Sequence, residues 1–440
     1  MILDKINNLN NKKIAILGLG IENYCLVKYL LKNKINCEIT VCDKRKEIEV
    51  KNEINNFKKF KNVKWQLGEK IGSRNLTGFD YLFRSPGGAM DLPDIKRAVK
   101  RGAALSSPMK LFFELCPTKN IIGVTGTKGK GTTASLIYHI LKKAGKRTWL
   151  GGNIGVAPFE FIDKIKKNDW VVLELSSFQL EDMDASPRIA VITNFHKEHL
   201  APADPNNPNY HKSLKSYWEA KLNIFKWQKK ENYAIINYKL QITKLKSKII
   251  FFDKSDLPSK LIGGHNKENI AAAVEVAKII GINNKIVKKA VKIFKGLGHR
   301  LEFVKIVNGV KYYNDSFATT PESAITALKS FVEPIVLLAG GAEKKSDFKQ
   351  LAKEIKKRVQ FMVLLDGKAT PRLKKELIKA NFPRNKMFLA KNIKQAVKEA
   401  GKAAGKGGII LLSPACASFG MFRNYKERGK LFKEEINKLK

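Results

Sequence analysis

Three glycines alternating with two lysines and followed by two threonines, in the stretch GVTGTKGKGTT from Gly123 to Thr133, are a residue choice suited to holding phosphate. Glycine costs chain entropy wherever it stands, so a plain strand-to-helix turn would not use so many. Their value is that backbone N–H groups can wrap phosphate oxygens while a lysine reaches the terminal phosphates. The common G-x-x-x-x-G-K-[ST] loop is not matched, because Val124 stands at the leading glycine and Gly131 at the magnesium-binding hydroxyl. Gly126, Thr127, Lys128, Gly129, Lys130 and Gly131 are nonetheless expected to form a phosphate loop, with Thr132 offering the hydroxyl one residue late.

Other residues could do chemistry near such a loop. VVLELSSFQL ends an apolar run on Glu174, and a carboxylate there is costly unless it is paired or binds a cation, which favours a metal. ITNFHKEHL offers His196, Glu198 and His199, although a lone histidine is more often structural. Arg300 in GLGHRLE and Asp315 in YYNDS open the last third of the chain, where they could clamp a nucleotide across a domain cleft, with ordinary exposed charges as the even alternative. GLGIEN, Gly18 to Asn23, is a partial dinucleotide fingerprint with Asn23 where the third glycine belongs. Asp43 ends the following strand, placed to bind a ribose or base or simply to cap a turn. Nothing local distinguishes Lys221.

The elements that must position these residues alternate from end to end. Short Ile- and Val-rich runs are each followed by a longer amphipathic pattern, which predicts an α/β fold with parallel sheets flanked by helices. At 440 residues the chain is too long for one core, and three domains are expected, at 1–117, 118–298 and 299–440. Residues 201–213, APADPNNPNYHKS, read as a long polar loop. No signal peptide and no apolar run of membrane-spanning length is present, so a soluble cytoplasmic protein is expected. Five cysteines without C-x-x-C spacing indicate neither a disulfide framework nor a zinc site. The net charge of +43 would suit nucleic acid, but the lysines are spread along helical patterns with no compact arginine block, so solvated helix faces are favoured.

Taken in order, GTKGKGTT, GGNIG, ELSSFQL, ITNFHKEHL, YWEAKLNIF, GGHNKEN, GLGHRLE, NDSFATTP, LLAGGAEKKSDF and LLSPACASFGMFRNYKERG resemble the Mur ligase family over nearly the whole chain. The resemblance also accounts for the loop: Mur-type loops lack the leading glycine, and the related folylpolyglutamate synthases carry glycine after the lysine. It implies a Rossmann-like N-terminal domain, a central P-loop ATPase domain and a Rossmann-like C-terminal domain. The implied chemistry is ATP-dependent amide-bond formation through an acyl phosphate, most closely the addition of D-glutamate to UDP-N-acetylmuramoyl-L-alanine in peptidoglycan precursor synthesis, by a monomer with no nucleic-acid or membrane partner. A ligase for another amino acid such as L-glutamate, or a folylpolyglutamate-synthase-like ligase, is the alternative.

By resemblance Lys130 contacts the terminal phosphates, Thr132 and Glu174 hold one magnesium, and Glu174, His199 and a carbamate on Lys221 hold a second. Asn269 falls to the adenine region and Arg300 and Asp315 to the nucleotide clamp. The nucleotide-sugar is assigned Gly18, Gly20, Asp43, Arg45, Ser85, Pro86 and Gly87, with Asn153, Ser177 and Gln179 nearer the reacting carboxylate. Thr319, Lys344, Ser418 and Tyr425 are assigned the incoming amino acid. The chain departs from the D-glutamate-adding pattern N-D-S-K-A-T-N, with Phe317 for the lysine and Thr320 for the last asparagine, which removes one cation near the amino-acid site.

Overall fold

The computed structural model describes residues 6–68, 72, 74–198, 200, 209–343 and 346–439. Within them the Ile- and Val-rich runs form three sheets. The first orders its strands β3-β2-β1-β4-β5 and contains β1 (Lys13–Leu17), β2 (Glu38–Asp43), β3 (Val63–Leu67), β4 (Tyr81–Arg84) and β5 (Ala104–Ser106). The second orders its strands β11-β10-β9-β6-β8-β7. It contains β6 (Ile121–Thr125), β7 (Thr148–Gly152), β8 (Trp170–Glu174), β9 (Ile189–Ile192), β10 (Tyr233–Asn237) and β11 (Lys248–Phe252). The third orders its strands β12-β13-β17-β14-β15-β16, from β12 (Glu302–Val307), β13 (Val310–Asn314), β14 (Ile335–Ala339), β15 (Val359–Leu365), β16 (Met387–Ala390) and β17 (Ile409–Leu412). Among the described residues only β12 and β13 pair antiparallel.

Parallel strands joined by helical crossovers are covered on both faces, which is why β6, β8 and β14 are buried at every position and do not alternate with polar residues. Strand order reverses beside β1 in the first sheet and beside β6 in the second. At such a switch point the crossovers leave in opposite directions and open a crevice at the strands' C-terminal ends. GLGIEN follows β1 and the phosphate loop follows β6, so both glycine-rich turns stand at crevices.

The chain divides into two compact units, Met1–Leu257 with Lys267–Val291, and Pro258–Asn266 with Lys292–Lys440. The first unit contains two of the sheets; one apolar cluster runs through both of them, and a separate one around Leu17, Leu82 and Ile95 lies on the first sheet. Tyr29 of the helix Ile21–Lys32 and Phe112 of the helix Pro108–Leu115 both meet Phe159, at ring separations of 5.1 and 6.4 Å. The second unit buries the two faces of the third sheet in separate clusters, one around Leu337, Leu351 and Leu373, the other around Leu338, Phe432 and Ile436. No described helix is long and apolar enough to cross a membrane.

Candidate active site

β6 runs directly into the phosphate loop, where Gly126 and Gly129 take φ of 140° and 82°. A β-carbon at Gly126 would collide with the Thr193 hydroxyl, and one at Gly129 with the Asn269 side chain, so close approach and backbone conformation both demand glycine. Gly129 caps the helix Lys130–Lys143 without a side-chain hydrogen bond. The first-turn N–H groups of Lys130, Gly131 and Thr132 therefore present the helix's positive end to the loop, a site made for anions. Lys130 Nζ donates to the Thr127 carbonyl at 2.9 Å.

The end of β9 fixes the loop from the other side. Thr193 Oγ1 and Asn194 Nδ2 donate to the Lys128 carbonyl at 2.7 and 3.0 Å, and Asn194 Oδ1 accepts from the Lys128 N–H at 2.8 Å. Lys128 Nζ pairs with Glu198 at 2.6 Å, and the His196 N–H donates to Thr127 Oγ1. Asn269, in the helix His265–Ile279, accepts from the Thr133 hydroxyl at 3.2 Å.

Lys221 comes from the helix Leu214–Lys226, which starts on a Ser213 capping box. The residue is 1% exposed, and its amine donates to the Gly126 carbonyl at 2.7 Å, 4.6 Å from the ring centre of Tyr217 one turn earlier. The Tyr217 hydroxyl bonds Thr127 Oγ1 at 3.1 Å. Burial, and then the like charge of Lys130, push the Lys221 amine well below the ordinary lysine value, while Glu198 and Glu174 pull weakly the other way. Glu174 is buried at the end of β8, where Asn153 donates its backbone N–H to the Glu174 carbonyl at 2.8 Å and its Nδ2 to Oε1 at 3.0 Å.

Among the described residues no three His, Cys, Asp or Glu side chains form a metal cluster, and His199 lies outside those residues. The donor chemistry that is present still suits a hard cation. Glu174 and Thr132 carry hard oxygen donors that would suit such an ion, and the Lys221 amine is driven toward its uncharged form.

The turn after β1 is held without its third glycine. Asn23 is fully buried and its Nδ2 donates to the carbonyls of Gly18 at 2.8 Å and Phe83 at 3.2 Å, so an amide stitches the turn where glycine would have allowed close packing. Asp43 accepts from the Leu19 N–H at 2.7 Å and from Arg45, whose guanidinium also donates to the Leu19 carbonyl at 3.0 Å. Burial raises the Asp43 carboxyl, but these donors outweigh it and hold it below the usual range. Gly20 begins the helix Ile21–Lys32, and Ser85, Pro86 and Gly87 form the turn after β4, closed by the Gly88 N–H on the Ser85 carbonyl.

Glu22 on the same helix accepts from Gln179 Nε2, while Gln179 Oε1 accepts from the Ser176 N–H at 2.8 Å in the capping box of the short helix Ser177–Leu180. The second Glu22 oxygen has no hydrogen-bond partner. Burial lifts this carboxyl to about 7 against the Gln179 hydrogen bond and the Arg84 charge. With the folded value above the unfolded one of about 4.3, the stability of the neutral form is full below about pH 4 and is lost as pH rises through 7. Glu22→Gln is therefore expected to gain on wild type between pH 5 and pH 8, by on the order of 3 kcal/mol at the upper end. Urea denaturation at each pH reads this; a difference independent of pH would contradict it.

In the second unit the end of β13 leads into Asp315, Ser316 and Phe317. Asp315 accepts from the Ser413 hydroxyl at 2.8 Å and the Leu301 N–H at 3.1 Å, yet burial raises its carboxyl to about 7. The Arg300 guanidinium lies 3.7 Å from the ring centre of Phe317, which meets Tyr425 edge-on at 4.9 Å. The phenyl ring thus faces a cation that a lysine at 317 would repel. Arg428, fully buried, donates to Ser316 Oγ, the Ser316 carbonyl and the Cys416 carbonyl. It ties the segment carrying Phe317 and Thr319 to the one carrying buried Ser418. Lys344 lies outside the described residues.

The first unit thus gathers the phosphate loop, Asn153, Glu174, Lys221 and Asn269 at one crevice and surrounds the turns after β1 and β4 with Asp43 and Arg45. Sequence reasoning missed Tyr217, Glu22, Arg84, Arg428 and His211, whose Nε2 lies 2.9 Å from Ser177 Oγ. Only Tyr217 left a trace, standing one helical turn before Lys221 on the same face.

A phosphate loop at the switch point of a parallel sheet, beside a buried carboxylate and a buried amine, defines an α/β enzyme that handles nucleotide phosphates. The chain matches the profiles of the Mur ligase MurD-like N-terminal domain at 12–107, the Mur ligase middle domain at 124–256 and the Mur ligase glutamate ligase domain at 299–416. It is 38% identical to the UDP-N-acetylmuramoylalanine--D-glutamate ligase of Acetivibrio thermocellus, over 98% of this chain and 97% of that protein. It is equally similar to the ligase of the same name from Clostridium acetobutylicum, over 98% of both chains. The chain belongs to the Mur ligase family. Its fold is shared by the UDP-N-acetylmuramate-alanine ligase MurC of Thermotoga maritima, at a TM-score of 0.57 and 18% identity over 97% of this chain and 99% of that one.

Proposed function

We propose that this chain joins D-glutamate to UDP-N-acetylmuramoyl-L-alanine at the expense of ATP, a step of peptidoglycan precursor synthesis, as a cytoplasmic monomer. The observation that carries the chemistry is the Lys221 amine, buried at 2.7 Å from the Gly126 carbonyl of the phosphate loop. The choice of substrates is supported by the near full-length likeness to ligases of that name.

A carboxylate is a poor electrophile at neutral pH. In the proposed reaction its oxygen attacks the terminal phosphorus of ATP, ADP leaves, and the amine of the amino acid attacks the acyl carbon with loss of phosphate and a proton. Catalysis of such a transfer is mostly alignment and neutralisation of charge. The helix end at Gly129 and the Lys130 ammonium meet the phosphates. Asn153, Ser177 and Gln179 orient the acceptor acid, and Gly18, Gly20, Asp43, Arg45 and Ser85 to Gly87 hold the nucleotide-sugar. Thr132, Glu174, His199 and a carbamate on Lys221 would hold magnesium, which supplies neutralisation of phosphate charge when bound. Asn269 lies toward the adenine. Thr319, Lys344, Ser418 and Tyr425 receive the amino acid, and Arg300 and Asp315 contact the nucleotide.

Purified protein with magnesium, ATP and UDP-N-acetylmuramoyl-L-alanine is expected to release phosphate with D-glutamate and not with L-glutamate. The Arg300–Phe317 stack makes the pair of enantiomers the informative comparison, because Phe317 removes a cation from that neighbourhood. Phosphate release with L-glutamate alone would move the chain to a different Mur-type ligase, and none with any amino acid would end the reading.

A further inference from the structure

We propose that His211 is a positioning residue that sets the Ser177 hydroxyl for the acceptor acid. His211 is 3% exposed, and its Nε2 lies 2.9 Å from Ser177 Oγ. Its ring stacks on Phe178 at 4.7 Å and 5° between planes, so the imidazole cannot swing away without losing a full ring face. Two residues earlier, buried Asn209 donates to the Pro86 carbonyl at 2.9 Å. The same short segment thus lands on the turn after β4 and on the turn after β8, the two turns that the proposed function gives to the nucleotide-sugar and to its carboxylate.

The His211 ring also connects to the phosphate loop. It lies 5.1 Å from the Tyr217 ring, and the Tyr217 hydroxyl is bonded to Thr127. Ser177 is therefore registered against the phosphate-binding backbone through two rings packed in the core. In-line transfer tolerates little misplacement of the attacking oxygen, so a hydroxyl left to rotate would lose alignment without losing the fold.

This inference rests on the proposed function, and two variants separate its parts. His211→Phe keeps the ring stack and removes the hydrogen bond; His211→Gln keeps a hydrogen-bonding terminus and removes the ring. If His211 acts through Ser177, His211→Phe lowers kcat/KM for UDP-N-acetylmuramoyl-L-alanine roughly tenfold while the KM for ATP stays within about twofold. His211→Gln recovers most of that loss, and Ser177→Ala combined with His211→Phe is no worse than Ser177→Ala alone. Unchanged kcat/KM in His211→Phe, a loss in His211→Gln larger than in His211→Phe, or additive losses in the double variant would overturn it. Should His211→Phe fail to fold, His211→Leu takes its place, with the same roughly tenfold loss expected and recovered in His211→Gln, and an unchanged kcat/KM in His211→Leu refuting. Wild-type protein inactive with every amino acid would remove the functional reading and this inference with it, whereas active wild type with an indifferent His211→Phe removes only this inference.

Discussion

Lys221→Ala is expected to lower kcat by at least about a hundredfold, the scale seen when one preorganised charge-stabilising group is removed. An ammonium at this position would be nearly dry and would face Lys130, so burial and charge both favour the free amine. In the carbamylation proposed for Lys221, reaction of that amine with carbon dioxide would release a proton and leave a carbamate. The repulsion from Lys130 would then become attraction, and the position could serve a cation. Formate or acetate at millimolar concentration is expected to restore part of the activity of the alanine variant by occupying the carbamate's place, and to do nothing for wild type. A purely structural lysine would behave differently, because its loss would lower the unfolding midpoint and no small acid would return turnover. Wild-type kcat in Lys221→Ala would remove the residue from the mechanism.

The phosphate loop and the strands were legible because their signals are local. Glycine spacing after an apolar run marks a turn with a special backbone, and continuous Ile and Val runs mark strands covered on both faces. Lys221 carried no local signal, since a lysine on an amphipathic helix is ordinary until the helix packs it beneath Gly126. The resemblance, not the spacing, singled it out. Phe317 read as the loss of a cation, and only the fold places it against Arg300 as that cation's partner. Asn23 likewise read as a broken fingerprint, whereas its amide closes the turn through carbonyls far apart in the sequence. Glu22, His211 and Arg428 were invisible for one reason: each acts through a partner more than thirty positions away, and pairing across the chain leaves no periodicity to read.

Arg84→Met is expected to destabilise the first unit by about 3–5 kcal/mol, the range for breaking a buried ion pair from one side. Arg84 ends β4 with its side chain 1% exposed. It makes a two-pronged pair with Asp182 at 3.0 Å on each prong and donates to the carbonyls of Phe178 and Gly88. It thereby joins the turn after β4 to the helix after β8, the two places that frame Ser177. A thioether of similar volume occupies the space but strands the Asp182 carboxylate at 8% exposure and removes the guanidinium's bonds to the two carbonyls. All five tryptophans, at 65, 149, 170, 218 and 227, lie in this unit, so their fluorescence in urea follows its unfolding. Desolvation makes the intact pair worth little net, so Arg84→Met with Asp182→Leu is expected to recover most of the loss. A single variant within about 1 kcal/mol of wild type would mean that water reaches the Asp182 carboxylate once the guanidinium is gone. A double variant worse than the single would place the stabilisation in the carbonyl contacts and not in the charges.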